Sequence, residues 1–325
     1  MDKIVICGKS NLYGSINVKG SKNSTLPILV SSLLSDEDLE LTNIPDLEDI
    51  NNMKMLLKGY GAKIKYKSDG LIINSKNISN KVANYDIVRK MRASILILGP
   101  LLSRFKKARI SLPGGCAIGT RPIDIHLEGL AKLGASFNIE NGFVNAEVKS
   151  ALIGNTIRLP FASVGATENI IMASILARGE TKIYNAAREP EVVDLSNCLR
   201  SMGAQISGDG TTRIKIIGIK KLVKAKHKIL SDRIVAGTYI IAAVMLKHEF
   251  TIKQINPNHL TSLIELLKKM GANLIINKNS IKVMPSNKLK SSKIETAPYP
   301  GFPTDLQAQL MALMCLVDGN SQIKE

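Results

Sequence analysis

A short amphipathic segment ending in Gly-Ala occurs four times, and this repetition is the strongest constraint on how the chain folds. The copies are Leu56-Leu57-Lys58-Gly59-Tyr60-Gly61-Ala62, Leu130-Ala131-Lys132-Leu133-Gly134-Ala135, Leu199-Arg200-Ser201-Met202-Gly203-Ala204 and Leu266-Leu267-Lys268-Lys269-Met270-Gly271-Ala272. Their glycines are separated by 73, 69 and 68 residues. A glycine directly after the last apolar turn predicts a helix C-cap, since it enters the left-handed region cheaply. Strand-like stretches such as Asn273-Leu274-Ile275-Ile276 follow.

A second kind of segment, apolar on nearly every face, precedes each copy. It covers roughly 22–34, 91–102, 164–177, 233–246 and 305–317. Such a helix is buried on all sides. The runs are too short and too polar for membrane spans, with Thr167, Glu168 and Asn169 inside one of them. Matching apolar residues, Leu41, Ile110, Ile183, Ile252 and Ile323, then recur at intervals of 69, 73, 69 and 71 in short strand-like stretches. The unit reads strand, buried helix, strand, exposed helix, Gly-Ala turn, strand, so sheets are expected to wrap a set of central helices. The fifth unit breaks off at Ser321–Glu325, which predicts a fragment of a chain with more repeats.

With 325 residues, two domains are the natural expectation. The formal charge of +17 favours anionic partners, but aromatic residues are only 4% and Trp is absent, which argues against a base-stacking nucleic-acid binder. Met1-Asp2-Lys3 runs directly into the strand-like Ile4-Val5-Ile6-Cys7, so no signal peptide is expected. Cys7, Cys116, Cys198 and Cys315 lack metal or CxxC spacing, as expected of free thiols in a reducing cytoplasm.

Polar residues mark the starts of the buried helices: Lys22-Asn23, Arg92, Ser163-Val164-Gly165 and Asp305. Helix N-termini offer unpaired N–H groups to anions, although capping by Ser163 or Thr304 is the favoured account of the positions taken singly. The loop Leu112-Pro113-Gly114-Gly115-Cys116-Ala117-Ile118-Gly119-Thr120-Arg121-Pro122 sets one thiol among glycines, with a guanidinium five residues on. A nearby cation would lower the thiol pKa; a small buried cysteine in a turn is the alternative. Cys7, Cys198 and Cys315 lie in apolar patterns and are expected in cores. His126, His227, His248 and His259 form no ligand cluster, so no metal is expected. Gly8-Lys9-Ser10 imitates the end of a P-loop, but Lys3 stands where the first glycine is required.

The stretch Pro113–Asp124 closely resembles the UDP-N-acetylglucosamine 1-carboxyvinyltransferases. Gly20-Ser21-Lys22-Asn23, Met91-Arg92-Ala93-Ser94, Ser163–Asn169, Ala186–Glu191 and Phe302-Pro303-Thr304-Asp305 match in order and spacing. The resemblance implies a two-domain inside-out α/β barrel of repeated βαβαββ units. Residues 1–20 plus 230–325 would form one domain, incomplete here, and 21–229 the second, carrying the Cys116 loop.

The implied activity is transfer of the enolpyruvyl group of phosphoenolpyruvate to the 3′-hydroxyl of UDP-N-acetylglucosamine, which commits material to peptidoglycan and so to cell-wall growth and division. The resemblance makes Cys116 the proton donor and carrier of a covalent adduct, and has Asp305 take the proton of the sugar hydroxyl or orient that group. Lys22 and Arg121 would hold the phosphate and carboxylate. Lys22, Asn23, Arg92, Arg121, Pro122, Ile123, Asp124, Ile125, Ser163, Val164, Gly165 and Asp305 would contact substrate, with no cofactor. A shikimate-pathway enolpyruvyl transferase and a non-catalytic sugar-nucleotide binder are the alternatives.

Overall fold

All four Gly-Ala glycines take the left-handed conformation, with φ of 109° at Gly61, 102° at Gly134 and 99° at both Gly203 and Gly271. Each lets the backbone leave its helix and enter a strand with little strain. The structure, a computed structural model, describes residues 3–8, 11–79, 91–111, 123–286 and 288–325. It divides into two compact units, Gly20–Leu230 and Met1–Lys19 with Ser231–Glu325.

Among the described residues of the unit Gly20–Leu230 the helices are α1 (Lys22–Ser31), α2 (Glu48–Tyr60), α3 (Leu98–Phe105), α4 (Asp124–Lys132), α5 (Val164–Ser174) and α6 (Pro190–Ser201). Three sheets accompany them. The first runs in the order 225–228, 38–42, 70–74, 63–67; the second in the order 107–111, 143–148, 135–140; the third in the order 205–207, 213–217, 180–184, 156–158. Helices α1, α3 and α5 supply the centre, where Ile28, Leu29, Val30, Ile170, Ile171 and Met172 are all at 0% exposure. Apolar helices enclosed by sheets give the inside-out α/β arrangement that the all-round apolar pattern requires.

The other unit holds α7 (Arg233–Leu246), α8 (Thr261–Lys269) and α9 (Gln307–Met314). Its larger sheet has the order 14–17, 250–253, 280–284, 273–277, and a smaller one pairs Lys293–Glu295 with Gln322–Lys324 in parallel. Its own core gathers Val18, Ile240, Ile252, Leu267, Ile281 and Leu310.

Strand pairing explains why this second unit is discontinuous in sequence. Within a repeat, the strand before a buried helix pairs in parallel with the strand after it, as 156–158 does with 180–184 around α5. Two leading strands are exchanged: Gly14–Asn17 pairs with Phe250–Lys253, while Ala225–Lys228 pairs with Asp38–Thr42.

The recurring apolar residues Leu41, Ile110, Ile183 and Ile252 all sit in strands at 0% exposure, and Ile323 lies half-buried in its strand. Two buried segments are less regular than expected. Residues 92–97 and 304–306 form tight three-residue-per-turn helices before α3 and α9. Helix α6 is mostly buried rather than exposed, because Asp194, Ser196 and Cys198 pack inward along with its apolar residues.

Three expectations are corrected. Ile4–Cys7 is neither strand nor core: Ile4, Val5 and Ile6 are 75–90% exposed, and a run of β-prone apolar residues cannot make a strand without a partner. Cys7 and Cys315 are exposed, and only Cys198 of the three is buried, because Cys315 ends α9 beyond its buried face. Thr304 does not cap: it lies inside the 304–306 turn, with Pro303 in the cap position.

Candidate functional site

Lys22 and Asn23 form the first turn of α1, a helix opened by Ser21, whose Oγ accepts from Ser24 N at 3.4 Å. Lys22 is half-buried and its Nζ lies 3.2 Å from Asp49 Oδ2 on α2. Ser24 Oγ donates to the buried carboxylate of Asp194 on α6. The same carboxylate accepts from Leu230 N at 3.2 Å and stands 3.0 Å from His227 Nε2. The turn that carries Lys22 and Asn23 is therefore anchored to α6 and to the chain at 227–230.

Ser163, Val164 and Gly165 open α5, and Ser163 Oγ accepts from Ala166 N at 3.4 Å. Thr167 Oγ1 donates to Ser163 O at 2.7 Å and accepts from Ala187 N at 3.0 Å, seating the buried Ala186-Ala187 turn against α5. The start of α5 thus presents both backbone N–H groups and the positive end of an 11-residue helix.

Ile123, Asp124 and Ile125 begin α4, with Asp124 exposed in the first turn and Ile125 buried. His126, the next residue, packs toward α5: a methyl group built on Gly165 would lie 3.1 Å from His126 Cε1. Arg92 opens the 92–97 turn, and its side chain is outside the described part of the structure. Cys116, Arg121 and Pro122 also lie outside the described residues. Asp305 belongs to the other unit, exposed in the 304–306 turn, where its carbonyl accepts from Gln309 Nε2 at 3.1 Å.

The motifs also contain an acidic centre whose role their spelling does not disclose. Glu168 is 3% exposed, and its Oε1 has no hydrogen-bond partner among the described residues. Burial pushes its carboxyl well above the ordinary value of 4.5, and the charges of Glu191 and Glu189 add to this. Glu168 therefore holds its proton to higher pH than an exposed glutamate does. Among the described residues no group of three or more His, Cys, Asp and Glu is placed to hold a metal. A cavity of about 470 Å³ on the 107–111 sheet, lined by Tyr60, Arg109, Phe137 and Asn145, includes none of the helix-start residues.

Asp49, Asp194 and Asn169 organise these starts and were not singled out by motif. Asn169 lies inside the quoted Ser163–Asn169 stretch, but nothing local says that it is fully buried. Asp194 and His227 are 33 residues apart in sequence, so their contact has no local signature.

The model of the EPSP synthase (3-phosphoshikimate 1-carboxyvinyltransferase) family matches residues 6–325. The UDP-N-acetylglucosamine 1-carboxyvinyltransferase of Geotalea uraniireducens (strain Rf4) is 47% identical over 325 residues, spanning 100% of this chain and 78% of that protein. UDP-N-acetylglucosamine 1-carboxyvinyltransferase 2 of Carboxydothermus hydrogenoformans (strain ATCC BAA-161 / DSM 6008 / Z-2901) is 49% identical over 327 residues, with the same two coverages of 100% and 78%. Among solved structures, the enolpyruvyl transferase NikO from Streptomyces tendae matches with a TM-score of 0.86 at 20% identity, covering 97% of this chain and 75% of that one. An EPSP synthase from Acinetobacter baumannii matches with a TM-score of 0.72 at 20% identity, covering 95% and 73%. These two structural likenesses concern the fold alone.

Proposed function

The chain belongs to the EPSP synthase family of 1-carboxyvinyl (enolpyruvyl) transferases, and from that membership we propose that it transfers the enolpyruvyl group of phosphoenolpyruvate to the 3′-hydroxyl of UDP-N-acetylglucosamine, releasing phosphate. The observation that carries the choice of acceptor is identity approaching one half, over the whole chain, with proteins of that name. The likeness to a solved EPSP synthase stops at 20%. A shikimate phosphate acceptor is correspondingly less favoured.

In this reading the reaction is an addition followed by an elimination. The sugar hydroxyl oxygen bonds to C2 of phosphoenolpyruvate as Cys116 delivers a proton to C3; loss of phosphate and of a C3 proton then restores the double bond. Asp305 takes or orients the hydroxyl proton. Lys22 and Arg121 neutralise phosphate and carboxylate, and Lys22 exchanges its contact with Asp49 for the substrate anion. Asn23, Arg92, Pro122, Ile123, Asp124, Ile125, Ser163, Val164 and Gly165 form the sugar-nucleotide face, where the starts of α1 and α5 supply N–H donors for phosphate oxygens. The product would feed peptidoglycan synthesis in the cytoplasm.

The experiment is phosphate release by the whole protein from phosphoenolpyruvate with either UDP-N-acetylglucosamine or shikimate 3-phosphate, alongside Cys116→Ala. Release with the sugar nucleotide alone, slowed by at least a hundredfold in the variant, is the expected result for loss of the proton donor. Release with shikimate 3-phosphate instead would replace the reading by its rival. Release with neither acceptor would leave a binding protein.

A further inference from the structure

Asn169 sits on α5 at 0% exposure, and its amide joins three chain segments. Its Oδ1 accepts from Gly99 N at 2.7 Å, at the start of α3. Its Nδ2 donates to Ile95 O at 3.0 Å, in the 92–97 turn. The same Nδ2 stands 3.1 Å from His126 Nδ1, in the first turn of α4.

The two backbone partners decide the amide orientation, since an N–H can only donate and a carbonyl can only accept. With Nδ2 committed as donor, His126 Nδ1 must accept, and the ring proton belongs on Nε2. That edge of the ring faces Gly165: a methyl built there would lie 3.1 Å from Cε1 and 3.4 Å from Nε2. The imidazole N–H therefore stands beside the opening turn of α5, next to the backbone donors of Ser163–Gly165.

We infer that Asn169 is a positioning residue for the sugar-nucleotide face, holding the 92–97 turn, the start of α4 and the start of α5 together and setting His126 in the Nε2–H form as a donor to the bound nucleotide. This rests on the proposed acceptor, UDP-N-acetylglucosamine. The inference goes beyond a packing role because it specifies a proton position. Replacing the amide by a carboxylate of the same shape reverses the pattern: Asn169→Asp accepts from Nδ1–H and draws the ring proton away from Nε2.

The test combines nitrogen NMR of histidine-labelled whole protein with steady-state kinetics of wild type, Asn169→Asp and His126→Phe. Wild type is expected to show His126 protonated on Nε2, and Asn169→Asp on Nδ1. Both variants are expected to raise KM for UDP-N-acetylglucosamine roughly tenfold, with KM for phosphoenolpyruvate nearly unchanged, as for loss of one well-placed donor. An Nδ1–H ring in wild type would overturn the inference. So would an unchanged sugar-nucleotide KM in His126→Phe, a variant that keeps a ring at this half-buried position and so stands as a second test if Asn169→Asp fails to fold. Wild type that turns over no sugar nucleotide would defeat the functional reading, whereas the NMR result still judges the proton position.

Discussion

Lys22 Nζ lies 3.2 Å from Asp49 Oδ2, which pairs the cation in the first turn of α1 with a carboxylate in the first turn of α2. Both side chains are about two-fifths exposed, so the pair contributes little to stability, about 0–1 kcal/mol. Its consequence is local charge. Asp49→Asn should leave thermal stability almost unchanged while lowering KM for phosphoenolpyruvate severalfold at low ionic strength. The gain should shrink as salt rises, because the removed repulsion is screened. An unchanged KM across that salt range would count against Lys22 as an anion-binding group.

The carboxylate of Asp194 serves Ser24 Oγ, His227 Nε2 and Leu230 N at once, from a position only 7% exposed. Asp194→Ala leaves buried donors unmatched and should destabilise the protein by about 2–4 kcal/mol in urea unfolding. Asp194→Asn retains an acceptor oxygen for Leu230 N and should recover part of that loss. Equal destabilisation by both variants would mean that charge, and not the hydrogen-bond pattern, is what the site requires.

Glu168 makes stability depend on pH in a definite direction. Its folded pKa is raised above the ordinary 4.5, so folded protein holds this proton where unfolded chain has released it. The folded state thus loses stability as pH rises from about the unfolded value toward the folded one, by about 1.4 kcal/mol per pH unit within that window. Glu168→Gln removes the dependence and should raise the unfolding temperature at pH 7 by several degrees, with little effect near pH 4. A variant equally destabilised at both values would refute a carboxyl whose pKa burial raises.

Glycine replacements separate backbone strain from crowding. A methyl at Gly134 would meet nothing within 4 Å, but φ of 102° still disfavours alanine there. Gly134→Ala should cost about 1 kcal/mol. Gly20→Ala would drive a methyl into the carbonyl of Asn43 and should sharply lower the yield of folded protein. Similar stabilities for the two variants, measured by thermal unfolding, would contradict this difference.

The cysteines test how burial controls reactivity. Cys198 is fully buried, and burial raises its thiol pKa, with the nearby Asp194 charge adding to the effect. An alkylating reagent at neutral pH should modify Cys7 and Cys315 in folded protein and spare Cys198 until denaturant is added. Labelling of Cys198 at the rate of the exposed pair would show that α6 opens in the native state.

The sequence by itself determined the repeat, because its signals are local. Gly61, Gly134, Gly203 and Gly271 sit where left-handed backbone ends a helix, and Leu41, Ile110, Ile183 and Ile252 sit where a strand needs one inward side chain. Quoted motif residues such as Lys22 and Ser163 were legible for the same reason: helix starts have a recognisable composition. Local signals failed where a partner decides the outcome. Ile4–Cys7 has the composition of a strand and none of its pairing among the described residues, and Asn169 looks like any polar residue in an apolar run until Gly99, Ile95 and His126 surround it. Only tertiary structure decided that Gly14–Asn17 and Ala225–Lys228 exchange places between sheets. Pairing between residues so far apart depends on backbone hydrogen bonds, which any sequence can make, and on a shared core that no single segment encodes.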